Sequence, residues 1–199
     1  MMTGIRFQST PENEIPVSVP VGTVLARTES LVLWLTDVHV YSCGVEFTIQ
    51  ARRPESTVLL DMFGFGKPAS AKSSGPFLFG IEYADGSVFT NLPGARMTDG
   101  LHGGAGRGGP LTADKTYFLQ PLPPPKRWSM ITAWPYFGVP ESRTDLDSAV
   151  FAEAAERVET LWPEPVHALV EAPDGRQQPP ELELPPGGWF EWAGRRGVE

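Results

Sequence analysis

From Val45 to Arg52 the residues alternate without a break: Val45, Phe47, Ile49 and Ala51 are apolar, and Glu46, Thr48, Gln50 and Arg52 are polar. A period of two puts each set on its own face of an extended chain, which predicts a strand with one buried and one wet face. Such a strand needs an antiparallel sheet with a second layer over its apolar side. Its first neighbour is expected just upstream. Leu31–Tyr41 is β-rich, apolar on both faces at first and alternating later, and Ser42-Cys43-Gly44 is a turn that returns the chain antiparallel.

Further along, Ala84-Asp85-Gly86 separates the β-rich runs Phe77–Tyr83 and Ser87–Leu92. Asp-Gly tolerates the positive φ angles of a tight hairpin, so residues 77–92 are predicted to be one. Residues 116–122 and 127–134 are two more β runs, expected to form a second hairpin around Pro123-Pro124-Pro125. Residues 54–76 and 93–113 are rich in small residues and turn formers. The second stretch holds seven glycines, which predicts a long mobile loop or a lid. With 21 glycines and 21 prolines in 199 residues, a long helical bundle is excluded.

One helix is expected, over residues 145–162. Ser142 or Thr144 would cap it, with Asp145 or Asp147 completing a capping box, and Pro163 would stop it. Its apolar stripe would be Leu146, Val150, Ala154, Val158 and Leu161, with Glu153, Glu156 and Glu159 toward water. The fold class is therefore all-β: an antiparallel β-sandwich-like domain over residues 17–162, with one C-terminal amphipathic helix. A polar arm, residues 1–16, precedes it, and an extended acidic Pro/Gly-rich tail, residues 163–199, follows. The strand aromatics Trp34, Phe47, Phe77, Phe79 and Trp128 are the predicted core. A domain of this size buries enough surface to stand without staples, and the lone Cys43 has no partner within the chain.

The formal charge of −8 is uneven, since residues 150–199 carry ten acidic and four basic side chains. No basic stripe is present to displace counterions from phosphates; Arg52-Arg53 and Lys126-Arg127 are isolated pairs, so nucleic acid is not an expected partner. No run approaches the roughly 18 apolar residues of a membrane span, and the N-terminal residues lack the apolar core of a secretory signal. A cytoplasmic location with no membrane partner is the expectation.

Two segments carry a resemblance. Leu25–Ile49 (LARTESLVLWLTDVHVYSCGVEFTI) and Phe118–Ser142 (FLQPLPPPKRWSMITAWPYFGVPES), followed by Glu159-Thr-Leu-Trp162, resemble a group of short actinobacterial β-rich proteins with no assigned function. The signature is a proline-rich turn followed by W-P and G-V-P-E segments. The resemblance covers about half of the chain and implies a β-rich domain with a C-terminal helix. It brings no catalytic residues with it, and the tail beyond Pro163 lies outside it.

Chemical candidates are few. Leu101-His102-Gly-Gly is similar to the His-Gly-Gly oxyanion segment of some esterases, but the Gly-x-Ser-x-Gly elbow that chemistry requires is missing. The glycine segment with Arg107 is an alternative anion or ligand loop, with His102 as a base if the protein were an enzyme and residues 100–109 as its lid. His39, His102, His167 and Cys43 have no metal-ligand spacing. Asp145 and Asp147 are explained by capping. Glu46 and Glu82 would face one another only if their strands were neighbours. No catalytic residue, metal or cofactor is assigned. The aromatics are the richer resource: Trp134 and Tyr136 flank Pro135 at an element end, and Trp189, Phe190 and Trp192 crowd into the tail. These five are the candidate partner-binding residues, with the tail trio docking on its own domain or on another molecule. The leading expectation is a non-enzymatic interaction or structural module that assembles with itself or a protein partner. A small-molecule or carbohydrate-binding sandwich is the alternative, with sugar stacked on Trp134 and Tyr136 or on Trp189 and Trp192.

Overall fold

The computed structural model describes residues 10–55, 77–90 and 100–163. Within them the strands are β1 (Glu14–Ile15), β2 (Val17–Val19), β3 (Thr23–Arg27), β4 (Val32–Val40), β5 (Val45–Arg52), β6 (Leu78–Tyr83), β7 (Val88–Thr90), β8 (Leu101–Gly108), β9 (Thr112–Leu119), β10 (Arg127–Trp134), β11 (Val139–Asp147) and β12 (Glu159–Thr160). One short helix, α1 (Ala149–Ala155), lies between β11 and β12. The expectations for the tail, including Trp189, Phe190 and Trp192, lie outside the described residues.

All pairings are antiparallel. A six-stranded sheet runs β2-β4-β5-β9-β8, with β3 beside β2 on the same edge of β4, and a four-stranded sheet runs β11-β10-β6-β7. The β1–β12 pair joins the start and end of the described chain. The alternation in β5 is realised: Val45, Phe47, Ile49 and Ala51 are buried, and their polar neighbours face out. In β4 a bulge between Thr36 and His39 places Asp37 at φ 50°, a left-handed conformation that Asp tolerates better than most residues. The extra residue keeps Leu35 and Val38 both facing inward and leaves His39 facing out.

Aromatic rings bridge the layers. Phe47 of β5 meets Phe79 of β6 at 5.9 Å between centroids, and Phe79 meets Tyr117 of β9 at 5.1 Å. Each buried side chain of this size contributes roughly 1.5–3 kcal/mol by leaving water, so this seam holds the sheets together. The expected hairpin forms within the described residues as β6 and β7 paired around the Asp85-Gly86 turn, where Gly86 has φ 88°; its last two residues, 91 and 92, lie outside the described residues.

Four expectations are corrected. Strands β9 and β10 are not a hairpin: β9 is already paired on both edges, by β5 and β8, so the stiff Pro123–Pro125 segment carries the chain across to the other sheet. The helix is much shorter than 145–162. Residues 139–147 form β11 because their alternating polar side chains find cross-strand partners. Ser142 hydrogen-bonds Thr132 and donates to the Leu25 carbonyl instead of capping, and Asp145 accepts from Ser129. In α1 the buried anchor is Phe151, edge-on to Trp128, while Val150 and Leu161 are exposed. The glycine segment from Leu101 to Gly108 is a strand, not a loop. Lastly, Trp34 is not core: the inward positions of β4 belong to Leu33 and Leu35, and alternation turns Trp34 to the outer face under Arg52, whose guanidinium carbon is 5.4 Å from the ring centroid.

Candidate functional site

Strand β8 is the outermost strand of the six-stranded sheet. Its sequence, LHGGAGRG, pairs with β9 from Leu101↔Leu119 to Gly108↔Ala113, with a bulge between Gly103 and Gly106. Its first two residues are buried and Gly103–Gly108 are exposed. At its start Gly100, with φ 129°, lets two groups approach at once: a Cβ there would fall 2.3 Å from the Gln120 carbonyl oxygen and 2.4 Å from the Phe89 ring. Phe89 thus closes the N-terminal end of β8. Beyond it the strand offers backbone and almost no side chain.

His102 and Arg107 are both on this strand, but the fold does not bring them together. His102 is in register with Phe118 and Arg107 with Asp114, four residues apart on β9 and so about 13 Å. Arg107 is exposed and reaches Asp114 at 3.8 Å. His102 is largely buried, and that burial lowers its pKa. A strand alternates its amides between its two edges, so this segment does not present the converging N–H groups of an anion nest.

Trp134 is one of the best buried residues in the protein, wedged against Phe77 at 5.3 Å and Phe137 at 4.6 Å. It continues the inward-facing row of Trp128, Met130 and Thr132, and the turn Pro135–Phe137 folds Phe137 over it. Docking through its ring would require opening the core. Of Tyr136 only the backbone, within that turn, is described.

The outer face of the six-stranded sheet holds an arrangement that the sequence did not single out. One cross-strand row reads Ser18, His39, Glu46, Phe118, His102 over five strands. Ser18 Oγ lies 3.1 Å from His39 Nδ1. Glu46 stands in register with His39 but makes no hydrogen bond to it among the described residues, so the acid that would orient the imidazole of a nucleophilic triad is not engaged. Nearby, Glu14 accepts hydrogen bonds from the Ser42 amide and hydroxyl. Burial, with the Glu14 carboxylate second, raises the Cys43 pKa and keeps the thiol protonated. Glu46 and Glu82 belong to different sheets, so they do not form a carboxylate pair.

The outer face of the four-stranded sheet is closed in on itself. Asp145 accepts from Ser129 at 2.7 Å and pairs with Arg127 at 3.2 Å, and Arg143 reaches Glu82 at 2.8 Å. The Ser129 hydrogen bond and the two arginines hold the Asp145 carboxyl below its usual range. Among the described residues no three His, Cys, Asp or Glu side chains are placed to hold a metal, and no helix is long and apolar enough to cross a membrane. Comparisons with family models, curated proteins and solved structures find no match to this chain.

Proposed function

We propose that this protein is a non-enzymatic interaction module that assembles with itself or with a protein partner, and that the contact is strand addition along β8. One observation carries the reading: β8 is an eight-residue sheet edge, exposed from Gly103 to Gly108, whose only charged side chain is Arg107. An edge strand presents unpaired N–H and C=O groups that another extended chain can complete. Glycine leaves that backbone accessible. The bulge splits the edge into two short pairing segments, which favours a modest, selective contact over indefinite stacking.

Light scattering across a concentration series, with affinity capture alongside, tests the proposal. Ala105→Lys and Ala105→Pro should each abolish the higher oligomer or the captured partner while leaving the near-ultraviolet circular dichroism unchanged. Unaltered assembly in both variants would exclude β8 as the interface. A Trp189→Ala/Trp192→Ala variant, run in parallel, asks whether the tail aromatics contribute.

A carbohydrate-binding reading is favoured by a different observation. Half-buried Trp34 stands in one row with Gln50 and Asp114 on the outer face, beside Arg52. A flat ring flanked by amide and carboxylate groups suits a sugar ring. Fluorescence quenching by a sugar panel that disappears in Trp34→Phe supports it, and a flat response rejects it.

A further inference from the structure

The hydrogen-bond phase of β8 fixes which of its backbone groups are free. At one end the Gln120 amide donates to the Gly100 carbonyl, and at the other the Gly109 amide donates to the Thr112 carbonyl. Each contact marks a hydrogen-bonded pair, and such pairs alternate along a ladder with pairs that exchange no bonds. Stepping inward from both ends in the observed register, His102 and Arg107 turn their amides and carbonyls to β9. Leu101, Gly103, Gly106 and Gly108 turn theirs the other way, to the side on which β8 has no neighbouring strand among the described residues. The bulge does not disturb this phase. The four outward residues stand opposite Leu119, Tyr117, Lys115 and Ala113, every second residue of β9, so they keep the even spacing of a regular ladder. From Gly103 to Gly108 the strand is exposed.

We infer that the chain added along β8 is a second copy of this protein, paired antiparallel about a two-fold axis that passes between Gly104 and Ala105. This rests on strand addition at the β8 edge and names its occupant. Such an axis sets Leu101 against Gly108 of the second copy and Gly103 against Gly106 of the second copy, and the reverse, so every outward residue of one copy meets an outward residue of the other. The bulge lies on the axis. A bulge bends and twists its strand, and here the bend meets an identical bend, with only Gly104 and Ala105 to be accommodated between the copies. A regular strand of another protein would have no matching bend. Arg107 falls beside His102 of the second copy, and burial lowers the His102 pKa, so no like charges meet there at neutral pH. The two six-stranded sheets become one, and the operation closes: each copy spends its single β8 edge, leaving none for a third chain.

Amide hydrogen exchange followed by NMR on the full chain, with light scattering on the same samples, tests this across a concentration series. As the mass doubles, the Gly103, Gly106 and Gly108 amides should become protected by about tenfold or more, while those of His102, Arg107 and Gly109, already bonded to β9, change less. Oxidation of Cys43→Ser/His102→Cys/Arg107→Cys should link two copies, because residues 102 and 107 face each other only across the axis. Cys43→Ser/Arg107→Cys should not link, since its two thiols would lie roughly 13 Å apart along the paired strands. A monomer at every concentration, a dimer whose three glycine amides stay open, or a link formed by Cys43→Ser/Arg107→Cys overturns the inference, as does a folded triple variant that dimerises without linking. The exchange arm uses the unaltered chain, so it decides the matter even where the His102 substitution unfolds the protein. A monomer that captures a different protein, and loses it in Ala105→Lys, keeps strand addition and removes the second copy. A dimer that persists in both Ala105→Lys and Ala105→Pro removes both.

Discussion

Strands β8 and β11 occupy equivalent positions, each the outermost strand of its sheet and of nearly equal length, and their sequences solve the edge problem in opposite ways. Strand β11, VPESRTDLD, carries Pro140, Glu141, Arg143, Asp145 and Asp147. Charges and a proline are what keep an exposed strand from pairing with another molecule. Strand β8, LHGGAGRG, has neither acid nor proline and only one charge, already turned to Asp114. The remaining edges are short: three residues in β7 and in β2, five in β3. Among the described residues, the one long edge without guards is β8, and that contrast makes an interface there the economical reading.

The largest effect should come from the residue that fixes where β8 begins. Gly100 adopts φ 129°, and any side chain there meets both the Gln120 carbonyl and the Phe89 ring. Gly100→Ala should cost roughly 3 kcal/mol or more, lowering the melting temperature by on the order of 10 °C. Gly104 has neither constraint: its nearest neighbour would be an ordinary 3.5 Å contact with the Thr116 carbonyl oxygen. Gly104→Ala should leave stability level or raise it by about 0.4–1 kcal/mol. Equal losses at the two positions would mean that β8 is strained throughout rather than anchored at one end.

A smaller, pH-dependent effect belongs to the buried start of the same strand. Burial lowers the His102 pKa, so the folded protein resists a proton that the unfolded chain accepts. Above the ordinary imidazole value of about 6.5 the ring is neutral in both states and stability is unaffected. As pH falls through that value toward the depressed folded one, the unfolded state gains protons first and stability declines. Denaturant midpoints measured from pH 7.5 to 5 should show this decline in the parent and a flatter profile in His102→Gln. Parallel profiles would assign the decline to other groups.

The parts legible in the sequence are those governed by local alternation. Val45–Arg52 and the Asp85-Gly86 hairpin state their structure in their own residues, because period-two burial and turn chemistry are nearest-neighbour properties. Residues 139–147 do not. Ser142, Asp145 and Asp147 are equally good helix-starting residues and edge-strand residues, and the choice is made by Thr132, Ser129 and Leu25, which lie far off in sequence. The glycine run reads as a loop for a related reason. Glycine has weak strand preference of its own, and β9 imposes the extended form on it through backbone pairing. Trp134 and Trp34 exchanged roles because alternation fixes which face a ring occupies, whereas a neighbouring proline or an apolar cluster does not. The Tyr117 hydroxyl, buried without a hydrogen-bond partner among the described residues, has no sequence signal: a tyrosine beside a phenylalanine reads as core, and only the register shows that its neighbour on β8, Gly103, has no side chain, unlike Phe47 on β5.

The smallest expected effect on stability lies on the guarded edge. Arg143 and Asp145 are exposed, and ion pairs of this kind are largely screened by water and salt. If the charges of this edge serve mainly to keep β11 from pairing with other molecules, then Glu141→Thr/Arg143→Thr, which leaves the Asp145–Ser129 hydrogen bond in place, should barely move the melting temperature at low protein concentration. Threonine suits a strand and retains a polar surface there, so the edge itself should survive. The loss should appear instead as concentration-dependent association, seen as light scattering that grows with protein concentration and persists when Ala105→Lys is added to block β8. A variant that melts much lower yet stays monodisperse would show the reverse: the β11 charges hold the sheet together, and the bareness of β8 would then set it apart in composition rather than in exposure to partners.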